Sequence, residues 1–399
     1  MYERKRQLKR VRIAHIIFPR PSILRPVPEF AWQAIEQLSK QARFDIEVIM
    51  PVPQRHFRWA QSVIRATKGA RGWPDGLDEA LLKLDPKPTL VPYLPVPRHS
   101  IESAVTALSV ALIARPKAMR PSILHGSFLD EGGYAATQVA EVLGCPSIAV
   151  AHGSDVKAAG EKGARGLRSK SSLRKASEVL SVSHYLASEI SYFGRTARVL
   201  PFTADDEAFS LAPVQAPATP NFLFVGRLEP AKGIDVLIDA FARLAHPKAK
   251  LTLVGAKVAN FDLDQALRRA NIEDQTEYLG ELTHSELQTA YANSSCLVLP
   301  SRSEGLGCVL IESLLVGRPV IATRVGGIPE IVNQDVGLLV DSIEPTALCQ
   351  AMKEMLEALE QNKFSPQSLR DRILPKTWRT ITPKLEAVNW QLLQCESSL

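Results

Sequence analysis

The sequence predicts an α/β protein made of two doubly wound, Rossmann-like domains facing a deep cleft. Three observations carry that expectation. Short apolar runs alternate with helical patterns twice along the chain, the signature of strands covered by helices on both faces. A Pro/Ala-rich span at Leu211–Pro220 separates the two series. The length of 399 residues exceeds what one ordinary domain holds, while 45% hydrophobic residues suffice for two cores.

The first series opens after a charged leader, Met1–Arg10, with a strand at Val11–Phe18, a helix at Phe30–Leu38 and a strand at Phe44–Met50. Residues 51–97 are less regular, with a short amphipathic helix expected over 54–68. A helix follows at Ile101–Ile113, then strands at Ser122–His125 and Ser147–Val150 around a helix at Gly132–Leu143. A helix near Leu173–Ala176, a strand at Glu178–Val182, a helix from His184 and a strand at Ala197–Leu200 complete the half.

The second series reads as strands at Asn221–Val225, Lys250–Val254, Thr276–Tyr278, Cys296–Leu299, Pro319–Ala322 and Gly337–Val340. Helices are expected at Gly233–Leu244, Leu263–Ala270, Ser285–Ala292, Cys308–Leu315 and Thr346–Leu359. The implied division is a first domain over 1–203, a linker over 204–220, a second domain over 221–374, and a C-terminal helical stretch over 375–399 returning to the first domain.

Charge is uneven. Residues 1–200 hold 30 Lys+Arg against 17 Asp+Glu, a net +13, and the remainder carries a net −7. An anionic partner for the first half is the natural counterpart. Phe57, Arg58, Trp59, Arg65 and Lys68 interleave cations with aromatics, a pattern suited to an anionic membrane surface. No nucleic-acid-binding module accompanies the charge, so no nucleic acid is expected as a partner. Five scattered cysteines form neither a disulfide framework nor a zinc pattern. With no apolar leader or spanning run, the expected location is the cytoplasm, with peripheral attachment to the inner membrane face where the basic patch docks.

Three turns in the second half carry chemistry. Gly226-Arg227-Leu228-Glu229-Pro230-Ala231-Lys232-Gly233 lies between a strand and a helix. Its Arg227 fork and Lys232 ammonium can reach a diphosphate, beside a helix N-terminus that favours anions. Taken alone, the turn is equally compatible with two surface cations. Ser303-Glu304-Gly305-Leu306-Gly307 leads through Cys308 and Val309 into a helix bearing Glu312. Glu304 and Glu312 are just over two helical turns apart and can face one elongated ligand, Glu304 on sugar hydroxyls and Glu312 on a ribose. Arg324-Val325-Gly326-Gly327-Ile328-Pro329-Glu330 permits a tight approach, with Glu330 expected mainly in a structural role. Gly255 and Tyr278-Leu279-Gly280 are expected to line a base pocket.

The combined pattern resembles the retaining glycosyltransferases of family 4, which have the GT-B architecture. The resemblance covers nearly the whole chain and is strongest over 221–340. It implies a metal-independent hexosyltransferase with no cofactor. The donor would be a nucleotide-diphosphate sugar, UDP- or GDP-linked, bound mainly by the second domain. Gly226, Arg227, Lys232, Gly255, Leu279, Glu304, Gly305, Leu306, Gly307, Cys308, Val309 and Glu312 would line that site, with Arg227, Lys232, Glu304 and His152 catalytic. His152-Gly153-Ser154-Asp155 resembles the segment that places a histidine beside the sugar.

The acceptor is implied to be a glycan or a lipid-linked or polyanionic molecule on the first domain, with Arg20, Arg25, His152 and Asp155 as its ligands; Asp155 reads equally as a helix cap. Two departures stand out. Pro19-Arg20-Pro21-Ser22 replaces the paired glycines after the first strand, and Pro201-Phe202-Thr203-Ala204-Asp205 replaces the usual Pro-Asn-Gly-Val-Asp. A nucleotide-sugar epimerase or sugar phosphorylase of the same architecture, and a non-catalytic glycan-binding protein, are the alternatives. A dehydrogenase fits worst, since the dinucleotide fingerprint is missing.

Overall fold

Parallel strands hidden on both faces need continuous apolar sequence rather than alternation, and the central strands have it. In the computed structural model, which describes residues 10–19, 27, 29–53, 80–81, 83–95, 99–212 and 219–396, Phe222, Leu223 and Phe224 are all fully buried. The first sheet contains β1 (Val11–Ile16), β2 (Phe44–Pro53), β3 (Thr89–Tyr93), β4 (Ile123–Ser127), β5 (Ser147–Ala151), β6 (Glu178–Ser181) and β7 (Arg198–Val199). The second contains β8 (Asn221–Val225), β9 (Lys250–Val254), β10 (Thr276–Gly280), β11 (Cys296–Leu299), β12 (Val320–Thr323) and β13 (Gly337–Val340).

The strand orders are β3-β2-β1-β4-β5-β6-β7 and β10-β9-β8-β11-β12-β13, with the paired strands parallel. Each sheet grows first to one side of its opening strand and then to the other. The reversal falls between β1 and β4 in one sheet and between β8 and β11 in the other. Loops leaving the carboxyl ends of such neighbours diverge and open a crevice.

The chain divides into two compact units, residues 1–182, 186–200 and 382–399 forming one, and residues 183–185 and 201–381 the other. Residues 201–212, placed from 204 onward in a linker by their composition, cluster with the second unit. Phe209 is fully buried, edge-on to Tyr291 at 5.9 Å. Arg370 donates to the Asp206 carbonyl at 2.9 Å. The prolines that suggested a connection, Pro213, Pro217 and Pro220, follow this span rather than lie in it.

The helix Ile234–Leu244 shows how sequence becomes packing. Ile234, Leu237, Ile238, Phe241 and Leu244 recur at helical spacing, and all are buried. Removing most of the Leu237 side chain would cost about 2–5 kcal/mol. β3 escapes sequence reading because Pro92 interrupts it. Proline is tolerated there because β3 is an edge strand. The helix Ala164–Lys175 extends far beyond the expected Leu173–Ala176. It is polar, and it packs through Gly166, Ser169, Ser172 and Leu173 rather than an apolar stripe.

At the centre of the first unit, register pairs His15 of β1 with His125 of β4, their ring centroids 4.4 Å apart. Both are buried. The Nε2 of His125 donates to Asn389 Oδ1 at 2.7 Å, and Asn389 Nδ2 donates to Leu385 O at 2.8 Å. The helix Trp378–Glu396 is thus latched to the sheet through a neutral imidazole. Burial, and then the neighbouring His125, lower the His15 pKa well below its ordinary value. Burial takes His125 to about 4, against the opposing hydrogen bond from Asn389.

The unfolded chain therefore binds protons that the folded one refuses. Stability should be complete above a pH of about 6.5 and fall as pH drops toward 4, by up to roughly 1.4 kcal/mol per pH unit for each histidine. Urea unfolding at about pH 7.5 and about pH 5 measures this. A His15→Leu, His125→Gln double variant should lose markedly less on the same shift, and an equal loss refutes the assignment.

Candidate functional site

At the β8/β11 crevice of the second unit, the loop after β8 carries Arg227 and then a turn of 3-10 helix, Pro230–Lys232. Gly233 follows with φ +72° and starts the helix Ile234–Leu244. A Cβ on Gly233 would lie 1.9 Å from the Pro300 carbonyl oxygen, so only glycine lets this turn touch the loop after β11. The loop after β12 repeats the device. Gly326 has φ +55°, and a Cβ there would lie 1.8 Å from Glu304 O. Gly327 N–H donates to the same oxygen at 3.2 Å.

These contacts bring opposite charges together. Lys232 Nζ lies 2.6 Å from Glu304 Oε2, which also accepts the Ser301 hydroxyl at 3.3 Å. Arg227 Nη2 lies 2.6 Å from Glu229 Oε1, with the Arg227 side chain 58% exposed. The Lys232 side chain, at 24%, is more enclosed.

Glu312 is buried on the helix Cys308–Leu315, where the Tyr291 hydroxyl donates to its Oε2 at 2.7 Å. The Cys308 thiol has its pKa raised by burial first, then by Glu312 and Glu304. Both glutamates therefore lie near the Cys308 thiol. Cys308 Sγ donates to Phe202 O at 3.2 Å. Leu306 is buried, while Gly305 and Val309 are partly exposed. Tyr278 and Leu279 stand partly exposed at the end of β10, and the Tyr278 hydroxyl donates to Gly255 O at 2.9 Å. Glu330 accepts the amides of His184 at 3.0 Å and Tyr185 at 2.9 Å, a structural use of the carboxylate.

Four participants were not singled out from sequence. Arg302 donates to Pro230 O and to both carboxylate oxygens of Asp235. Glu229 and Tyr291 hold Arg227 and Glu312. Phe128 packs its ring 4.7 Å from that of His152. Only Arg302 had a signal, its place two residues before Glu304.

In the first unit, His152 follows β5. Asp155, expected as an acceptor ligand or a cap, is fully buried. It accepts the amides of Leu129 at 2.8 Å, His152 at 3.1 Å, Gly153 at 2.7 Å and Val156 at 3.1 Å. Burial raises its pKa and the amides oppose the rise. This corrects its assignment to the acceptor: four backbone donors occupy the carboxylate, which organises the turn. Arg20, Arg25, Phe57, Arg58, Trp59, Arg65 and Lys68, with the expected 54–68 helix, lie outside the described residues. Among the described residues, no group of three or more His, Cys, Asp or Glu is placed to hold a metal ion, and no helix is long and apolar enough to cross a membrane.

Residues 212–368 match the family described as "Glycosyl transferases group 1". An uncharacterized glycosyltransferase of Methanocaldococcus jannaschii is 28% identical over 248 residues, 60% of this chain and 67% of that protein. The Arabidopsis thaliana sulfoquinovosyl transferase is 28% identical over 173 residues, 42% of this chain and 33% of that protein. Among solved structures, sucrose-phosphate synthase from Thermosynechococcus elongatus superposes with a TM-score of 0.76 at 20% identity, over 97% of this chain and 100% of that one. Anabaena HepE in complex with UDP-glucose gives 0.70 at 17% identity, over 97% and 100%. The chain has the GT-B fold, and its residues 212–368 are related to the group 1 glycosyl transferases.

The two glycine contacts make different demands from an open glycine. Gly280 has φ +73° with nothing within 4 Å of an added Cβ. Gly280→Ala should cost only about 1 kcal/mol of left-handed strain. Gly233→Ala and Gly326→Ala add a backbone collision and should each cost at least about 3 kcal/mol. Thermal unfolding of the three variants ranks them, and equal losses would refute the close approach.

Proposed function

We propose that the second unit binds a nucleotide-diphosphate sugar at the β8/β11 crevice, and that the protein transfers the hexosyl group to an acceptor hydroxyl with retention of configuration and without a metal. The observation that carries this reading is the 2.6 Å contact between Lys232 and Glu304, from the loops after β8 and β11. It sets a cation for phosphate beside a carboxylate for sugar hydroxyls. The Anabaena neighbour bound to UDP-glucose supports the donor class.

In this reading the bond from the anomeric carbon to the phosphate oxygen breaks, and the diphosphate gains charge. Lys232, Arg227 and the N-terminus of the helix Ile234–Leu244 oppose that charge as it develops. Glu304 accepts hydrogen bonds from the transferred sugar. Glu312, oriented by Tyr291, accepts from the ribose hydroxyls. The acceptor hydroxyl attacks from the face the diphosphate leaves, its oxygen forms the new bond, and its proton passes to a phosphate oxygen. No protein nucleophile is required.

The acceptor belongs to the first unit in this proposal. The net +13 over residues 1–200 suits a lipid-linked or polyanionic molecule and a peripheral position on an anionic membrane face. His152 stands at the end of β5, where strand ends carry ligands. Sedimentation with anionic vesicles tests the surface, and salt-sensitive binding is the expected result.

A thermal-shift screen across UDP-, GDP- and ADP-sugars, with EDTA present, should single out one nucleotide series, with stabilisation of about 2.7 kcal/mol at a hundredfold excess over Kd. No shift with any of them would overturn the donor assignment. Lys232→Ala should cut turnover at saturating donor by about 10²–10³-fold while leaving the fold intact; near-normal turnover would remove Lys232 from the chemistry.

A further inference from the structure

The loop after β8 and the loop after β11 are joined by a second fastening besides the Lys232–Glu304 pair. Arg302 lies between Ser301 and Glu304 on the second of these loops. Its backbone N–H donates to Ala231 O at 2.9 Å, the carbonyl immediately before Lys232. Its guanidinium donates through Nη1 to Pro230 O and through Nη1 and Nη2 to Asp235 Oδ1 and Oδ2 at 2.7 and 2.8 Å. One residue thus holds the 3-10 turn from its first carbonyl, from its second, and from Asp235 in the first turn of the helix that follows.

The geometry points to Arg302 as a positioning residue for donor binding: it fixes the Pro230–Lys232 turn against the Glu304 loop, so that Lys232 meets a diphosphate already placed. This rests on the nucleotide-sugar reading above.

Three features favour placement over general stabilisation. The contact is a planar fork on a carboxylate, which fixes orientation as well as distance. Both Arg302 and Asp235 are partly exposed, their side chains 40% and 39% accessible, and an exposed ion pair adds little to global stability. The carbonyls it grips belong to the residues next to the phosphate cation, and a lysine cannot reproduce the fork. Burial alone would raise the Asp235 pKa, yet the Arg302 hydrogen bonds and charge hold it below its ordinary value. The pair therefore stays ionised through the neutral range.

A double-mutant cycle tests the assignment, with calorimetric affinities for UDP, GDP and ADP measured on the full chain. For whichever nucleotide binds tightest, Arg302→Ala should weaken affinity about tenfold, and Arg302→Lys should fall between it and the wild type. Lys232→Ala should weaken affinity by at least as much. The Arg302→Ala, Lys232→Ala double variant should bind no worse than Lys232→Ala alone, because Arg302 acts through that ammonium. Melting curves establish that each variant is folded. If Arg302→Ala does not fold, the same cycle is run with Arg302→Lys, whose loss should likewise vanish when Lys232 is absent.

Unchanged affinity in the Arg302 variants, or losses that multiply independently of Lys232, would overturn the proposal while leaving the donor reading standing. A wild-type protein that binds none of the three nucleotides would remove the donor reading, and this inference with it.

Discussion

The second unit is organised around a contact between charges 72 residues apart in sequence, Lys232 and Glu304 at 2.6 Å. Partial burial makes such a pair expensive in desolvation, and its net worth to folding is small or uncertain in sign. What the pair determines is place. Its two loops leave neighbouring parallel strands in diverging directions, so nothing in the sheet itself brings them back together. Gly233 against Pro300, and Gly326 against Glu304, supply the approach by removing side-chain bulk where backbones meet. The ion pair, the Ser301 hydroxyl and the Arg302 fork then fix the orientation. Local backbone freedom, loop packing and electrostatics are thus successive layers of one arrangement.

How much of this was legible in the sequence follows from which signals are local. β8 matches its expected limits because an apolar run is bounded by polar and glycine residues. The helix Cys308–Leu315 matches because glycine precedes it and apolar spacing continues through it. Lys232 and Glu304 were visible because they stand on strand-to-helix turns, and Glu312 because it follows on the next helix. Partners were not visible. Tyr291 reaches Glu312 from another helix, and Asp235 reaches Arg302 across 67 positions. Asp155 carried two readings, ligand and cap, for a related reason. Its neighbours in sequence suggested ligand chemistry, whereas Leu129, from the loop after β4, supplies one of the amides that occupy it.

The first unit spends its polar groups differently. His15, His125 and Asn389 lie in the interior and tie the C-terminal helix to the sheet. Asp155 fixes the turn after β5, and Phe128, with φ +64°, packs against His152 from the turn after β4. A bulky residue in the left-handed region is an unfavourable choice unless its surroundings hold it there. Ser172 Oγ donates to Leu129 O at 2.5 Å, and Arg168 Nε donates to Asp130 O at 2.9 Å. The polar helix Ala164–Lys175 therefore has a positive reason to be polar: its hydroxyl and guanidinium groups stabilise the turn that shapes the end of β4.

The two candidate phosphate cations also differ in a way that assigns them different parts in the proposed reaction. Lys232 is more enclosed and is held by Glu304 from another loop, so its position is set before a ligand arrives. Arg227 is more than half exposed and held through Glu229 on its own loop. A fixed point charge contributes most to a charge that grows during bond breaking, because no reorganisation accompanies the change. An exposed guanidinium with a replaceable partner is better suited to exchanging a carboxylate for a phosphate on binding, since both accept its planar fork. Loss of Arg227 should therefore act chiefly on donor affinity, and loss of Lys232 on both affinity and the bond-breaking step. That division follows from exposure and tethering alone, with two cations of equal charge on one turn.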